Sequence, residues 1–185
     1  LKIYEYKNQK NDLFFTMSHG VNRGVLKKNK VDERVSFINK LVNNSPEIIC
    51  DIYGHNGREP VWGEDFYKAI KQSKMGLNLS RGKPIKYLTS NRIASLIGNG
   101  LLTFVDKRTQ LNDFFDSNEV IFYNNINDLS EKLTYFKKND QKRMQFARNG
   151  RKKYFDLFES KIICDYMISK TFDINSKKNK NWMKN

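Results

Sequence analysis

Apolar positions along the chain fall into short unbroken runs that alternate with longer, spaced patterns. The runs at 12–18 (DLFFTMS), 48–53 (IICDIY), 74–80 (KMGLNLS), 101–105 (LLTFV) and 120–123 (VIFY) read as buried strands. Between them the spacing is helical. Asp32 is a helix N-cap, after which Val35, Ile38, Leu41 and Val42 share one face until Pro46. A short helix starts near Glu64 and turns Phe66, Ala69 and Ile70 inward. Ser90 caps a helix over 91–99, with Gly100 just past its end. Beyond residue 123 the chain is helical. The capping-box pattern Asp128-Leu-Ser-Glu131 opens a helix that buries Leu129, Leu133 and Phe136. A longer helix over 140–158 places Met144, Ala147, Tyr154 and Leu157 or Phe158 inside, and a last one from about 160 does the same with Ile163, Tyr166 and Met167.

Strand–helix alternation of this kind predicts an α/β fold, a Rossmann-like parallel sheet with helices on both faces and a helical C-terminus. One such domain accounts for residues 1–174, and the basic segment 175–185 is expected to be a disordered tail. In parallel sheets ligands bind at the carboxyl ends of the strands, near the point where the strand order reverses. The chemistry is therefore expected in the loops after Ser18, Tyr53, Ser80 and Val105.

Composition narrows the class. At 185 residues with 38% hydrophobic positions, the chain can build a core and has no apolar run of membrane-spanning length. It opens on Leu1, which reads as a trimmed chain preceded by further sequence. The two cysteines, Cys50 and Cys164, sit in apolar patterns and read as buried free thiols, and neither has a histidine at zinc-ligand spacing. Lys and Arg number 34 against 20 Asp and Glu, a net charge of +14. Of these 25 are Lys, accompanied by 22 Asn and 15 Ile, the composition an AT-rich genome writes on any solvated surface. Four of the lysines lie in the tail, which leaves +10 on the rest. The remainder are scattered, and most aromatics fall on buried periodicities, so a nucleic-acid interface is disfavoured.

Three loops have groups suited to an anion. The densest follows Ser80, where Arg81, Lys83 and Lys86 precede a helix start at Ser90, Asn91 and Arg92, with Tyr87 between. Unpaired N–H groups and the helix dipole would hold a diphosphate there, with Arg and Lys as counter-charges. The second, Ser18-His-Gly-Val-Asn-Arg-Gly24, offers a tight turn at Gly20, cations at Arg23 and Lys27, and His19 as a candidate base; it is neither a Walker loop nor a dinucleotide fingerprint. The third groups His55 and Arg58 with Glu59, Glu64 and Asp65, of which Glu64 and Asp65 complement their own helix, and Trp62 reads as a packing residue.

Segment 74–166 adds a resemblance. The strand Met75-Gly-Leu-Asn-Leu-Ser80 is followed by Ser90-Asn-Arg-Ile-Ala-Ser-Leu-Ile-Gly-Asn-Gly100, the strand 101–105, Leu111-Asn-Asp-Phe-Phe115, Val120-Ile-Phe-Tyr123 and the helix around Ala147-Arg-Asn-Gly-Arg-Lys-Lys-Tyr154. This succession resembles the C-terminal nucleotide-sugar-binding half of GT-B glycosyltransferases. It is most similar to glycosyl transferases group 1, the family grouped with spore-maturation proteins of the CgeB and YkvP type. The resemblance implies a donor-binding domain of an enzyme that moves a sugar from a nucleotide-diphosphate sugar to an acceptor hydroxyl, with an acceptor domain upstream. Arg92 aligns with the Arg of the family pattern, and Ser95 stands where the pattern has Glu. The implied donor contacts are Gly20, Lys27, His55, Arg58, Ser80, Arg81, Lys83, Tyr87, Ser90, Asn91, Arg92 and Ser95, with His19 and Arg23 as catalytic candidates. Cations would stabilise the leaving diphosphate, so neither a metal nor a further cofactor is expected. The partners implied are the nucleotide sugar and a glycan, lipid-linked or protein acceptor, in the cytoplasm and at most peripheral on the inner membrane face. The alternatives are a basic nucleic-acid-binding module and a nucleotide-binding regulatory domain without turnover.

Overall fold

A computed structural model describes residues 8–18, 32–88 and 90–174. Its elements in chain order are β1 (Asn11–Thr16), α1 (Glu33–Asn44), β2 (Cys50–Tyr53), α2 (Gly63–Lys71), β3 (Ser73–Asn78), α3 (Asn91–Gly98), β4 (Leu102–Asp106), β5 (Ile121–Tyr123), α4 (Ile126–Lys138), α5 (Asp140–Phe158) and α6 (Ser160–Thr171). Two 3₁₀ turns, Lys107–Thr109 and Leu111–Asp113, lie between β4 and β5.

All four strand pairings are parallel and the sheet order is β2-β1-β3-β4-β5. Parallel strands need covering on both faces, which is why the strand sequences read as continuous apolar runs. Leu13, Phe15, Met75, Leu77 and Phe104 point to the face covered by α1 and α4, where they meet Ile38, Leu41, Leu129 and Leu133. Phe14 points the other way, into Ala69, Ile70 and Leu96 of α2 and α3. Val105 joins Ile93 and Ile97 on that second face. The α/β class with helices on both faces is the one that the alternation predicts.

Several local expectations change. The helix after β5 starts at Ile126, two residues before the expected box: Asn125 is the N-cap, its side chain accepting from the Asp128 N–H. Asp128 in turn accepts from the N–H of Asn124, the residue before the N-cap, at 2.8 Å. On α5 the buried face is Arg143, Ala147, Gly150 and Arg151, while Met144 and Tyr154 are half-buried. Both guanidiniums end on backbone carbonyls, Arg143 on Lys74 O at 3.1 Å and Arg151 on Gly98 O, at the end of α3, at 2.9 Å. The small residues let the helix approach: a Cβ on Gly150 would lie 2.2 Å from the Glu119 carbonyl oxygen. Helix α6 packs on α5, yet none of its residues is buried; Met167 is exposed, as is Cys164, contrary to a core role for either. Helical periodicity there meets only one layer of protein. Cys50 is half-buried, and burial raises its thiol pKa to about 11.

Candidate functional site

The strand order reverses between β1 and β3, because β2 is added on one side of β1 and β3 to β5 on the other. Their carboxyl ends, at Ser18 and Leu79, open a crevice of the kind that holds ligands in open parallel sheets. The backbone sets its left wall. Gly54, at φ +75°, follows β2, and a Cβ there would lie 1.9 Å from Met17 O, so only glycine lets the two strand ends close up.

Three arginines converge on this crevice from three elements. Arg34, near the start of α1, donates from Nε and Nη2 to Asp32 at 3.0 and 2.6 Å and from Nη2 to Ser18 O at 2.9 Å. Arg81 reaches the same carboxylate at 3.5 Å and Ser18 O at 3.4 Å. Burial opposes ionisation of Asp32, but hydrogen bonds from the Arg34 side chain and backbone, with the charges of Arg34 and Arg81, outweigh it and hold the carboxyl at about 2.

Arg92 is the third, and it is different. It sits on the first turn of α3, donates from Nη1 to Leu79 O at 2.9 Å and lies 5.1 Å from the Phe15 ring centroid. Its Nε is buried without a hydrogen-bond partner, and among the described residues no carboxylate pairs with it. Burial first, then the charge of Arg34, lower its pKa to about 10, which leaves it protonated at neutral pH. Beside it Ser90 occupies the N-cap position of α3 but makes no capping hydrogen bond, and its hydroxyl is buried without a partner. The expected Ser cap is thus absent, and the first N–H groups of α3 receive no side-chain acceptor from it. Asp32 serves the guanidiniums of Arg34 and Arg81, and the charge of Arg92 is left over among the described residues.

A recess of about 640 Å³ adjoins the crevice on the α2/α3 side. Ser90, Asn91, Arg92 and Ser95 form its polar wall; Val61, Trp62, Phe66 and Tyr67 form the apolar one. Trp62 is 68% exposed, so its indole is not the packing residue the sequence suggests. Ser95 donates to Asn91 O at 3.0 Å.

The remaining candidates separate. Ser80 and Lys83 line a smaller cavity of about 180 Å³ on the α1 side, with Arg34, Asp106 and Arg108. Tyr87, at φ +58°, is turned away, donating to Asp113 at 2.6 Å and lining an apolar groove with Phe114 and Phe158. His55 lies beside the edge strand with its Nε2 2.9 Å from Asn39 Oδ1, and Arg58 is held by Asp51 at 2.7 Å and by the Tyr53 ring. Neither lines the recess. His19, Gly20, Arg23 and Lys27 lie outside the described residues. Sequence reasoning missed Asp32 and Arg34 as charged members of the site, and Trp62 as an exposed wall. A pair two residues apart and a lone aromatic in a polar loop have no periodicity that would reveal them.

The fold and the switch-point crevice together define a Rossmann-like α/β domain, the architecture of one half of a GT-B fold. The family model described as glycosyl transferase-like matches residues 34–163, and the chain belongs to that family. Among solved structures it is similar to the crystal structure of TarM, with a TM-score of 0.60 over 91% of this chain at 12% identity. The chain spans 37% of the TarM chain. A search of curated proteins finds no match.

Proposed function

We propose that this chain binds the diphosphate of a nucleotide-sugar donor in the β1/β3 crevice and acts as the donor half of a transferase that delivers the sugar to an acceptor hydroxyl. Arg92 carries the reading. A buried guanidinium without a carboxylate is costly unless an anion completes it, and this one stands at the start of a helix whose N-cap hydroxyl is also unpartnered. A diphosphate there would accept from Arg92, Ser90 and the first N–H groups of α3. The Trp62 and Phe66 wall then offers the nucleobase a surface to stack on.

In transfer, the bond from the anomeric carbon to the diphosphate oxygen breaks, the bond to the acceptor oxygen forms, and the acceptor proton leaves to a base. Negative charge develops on the departing diphosphate, and prepositioned cations lower the barrier by meeting it there. Arg92 takes that role, with Arg81 as a second cation; His19 and Arg23 are proposed as the base and a further phosphate contact.

The test is calorimetric titration of the chain with UDP, GDP, ADP, CDP and dTDP at physiological salt, in EDTA and in Mg²⁺, with a short single-stranded RNA as control. Saturable binding of one diphosphate, weakened at least tenfold in Arg92→Met and equal in both buffers, is the expected result. Binding of RNA alone would overturn the reading.

A further inference from the structure

Tyr87 stands where a turn favours glycine. Residues 85–88 form a turn closed by the Leu88 N–H on Ile85 O at 3.1 Å, and Tyr87, its third residue, has φ +58°. Turns with a positive φ at that position take Gly or Asn, because a Cβ crowds the backbone there. A bulky residue kept in that conformation has to be held by its surroundings, and such residues gather where strain serves a function.

Three contacts tie Tyr87 to the segment that follows β4. Its N–H donates to Thr109 O at 2.8 Å, its hydroxyl donates to Asp113 at 2.6 Å, and its ring meets Phe114 edge-on with 5.1 Å between centroids. The receiving segment is itself fixed. Asp106 caps the turn Lys107–Thr109, the Thr109 hydroxyl returns to Asp106 O at 2.7 Å, and Leu111 and Phe115 are buried with Ile93 and Ile97 of α3. The loop after β3 is thus tied to the loop after β4 just before α3 begins. Ser90 has the extended backbone of an N-cap, φ −117° and ψ 165°, yet its buried hydroxyl bonds no N–H of the helix. A serine with that backbone ordinarily turns its hydroxyl onto the second or third N–H.

Resting on the donor-binding reading above, we infer that Tyr87 is a positioning residue for the diphosphate site. Its latch onto the loop after β4 holds the Ser90 hydroxyl off α3 and keeps the first N–H groups of that helix open to an anion. A hydroxyl that capped α3 would occupy those groups internally, and a diphosphate would have to displace it. The strain at Tyr87 is what this preorganisation costs.

The experiment compares Tyr87→Gly, Ser90→Ala and the double variant by thermal melts and by titration with the nucleoside diphosphate that the unaltered chain prefers. Glycine suits the turn, so Tyr87→Gly removes the latch without straining the loop. In the unaltered background Ser90→Ala is expected to leave Tm within about 1 °C, because the hydroxyl caps nothing. In the Tyr87→Gly background the same change is expected to lower Tm by about 2–4 °C, the loss of a helix cap. Tyr87→Gly is expected to weaken diphosphate binding at least about fivefold, while Asp113→Asn, which keeps an acceptor for the Tyr87 hydroxyl, stays within about twofold. An equal effect of Ser90→Ala on Tm in both backgrounds would overturn the inference, as would unchanged binding in Tyr87→Gly; both leave the donor-binding reading standing. No binding of any nucleoside diphosphate by the unaltered chain would overturn that reading and the role of Tyr87 with it.

Discussion

At the scale of single residues, the crevice trades stability for a charge. Arg92 stays protonated in a buried position with one backbone carbonyl and an aromatic face for company. Replacing it by Met removes the desolvation cost and keeps the volume, so Arg92→Met should raise the stability of the free protein by about 1 kcal/mol, or roughly 2–4 °C in Tm, while weakening nucleotide binding at least about tenfold. Calorimetric melts of both proteins with and without nucleotide would show it; a lowered Tm would mean that the Leu79 bond outweighs the burial. Asp32 works in the opposite sense. Its carboxyl is held at about 2, below an unfolded value of 3.8, so the stability it contributes is complete above pH 5 and is lost as pH falls toward 2. Asp32→Asn keeps an N-cap for α1 but removes the charge. It should cost on the order of 2 kcal/mol at pH 7 and flatten the acid limb of the stability–pH profile between pH 5 and 2. Trp62 tests the base platform: with two-thirds of its surface in solvent, Trp62→Ala should leave Tm within about 1 °C and weaken nucleotide binding about tenfold.

Among the elements, α5 joins the two faces of the sheet. Its first half contributes Ala147 to the core under α1 and α4, and its second half packs Tyr154 and Phe158 against the α3 face. That path requires contact with the turn before β5, where Gly150 leaves no room for a side chain. Gly150→Ala should destabilise the protein by about 2–3 kcal/mol, because a backbone carbonyl cannot swing aside as a side chain can. Urea unfolding would measure it, with an unchanged slope expected. The boundaries of α3 and α4 teach a related point. Ser90 and Asp128 both matched capping patterns, yet Asn125 caps α4 and the Ser90 hydroxyl caps nothing. Capping patterns mark the neighbourhood of a helix start; which side chain bonds which N–H depends on where the preceding strand delivers the chain.

Across the molecule, the net charge of +14 is a weaker guide than the position of a few cations. Lys137 and Lys74 both serve Asp12 at the far end of the sheet, and Arg143 and Arg151 bind carbonyls there. A diphosphate meets only the groups at the crevice, so its affinity should fall by roughly an order of magnitude between 50 and 200 mM salt. A polyanion spread over the basic surface would lose about 10³–10⁵. Titrations at the two salt concentrations distinguish them.

The α/β class, the parallel sheet and the helices on both faces were all legible in the residue order. Strand and helix periods are local, and a parallel sheet's need for cover on both faces is written into its unbroken apolar runs. What the sequence could not determine is which of many cations lacks a partner. Arg58, Arg34 and Arg92 look alike in sequence, but Asp51 and Asp32 neutralise the first two and the chain brings no carboxylate among the described residues to the third. Burial, pairing and the exposure of Trp62 depend on which elements meet at the β1/β3 reversal, contacts between residues dozens of positions apart that only the tertiary structure decides.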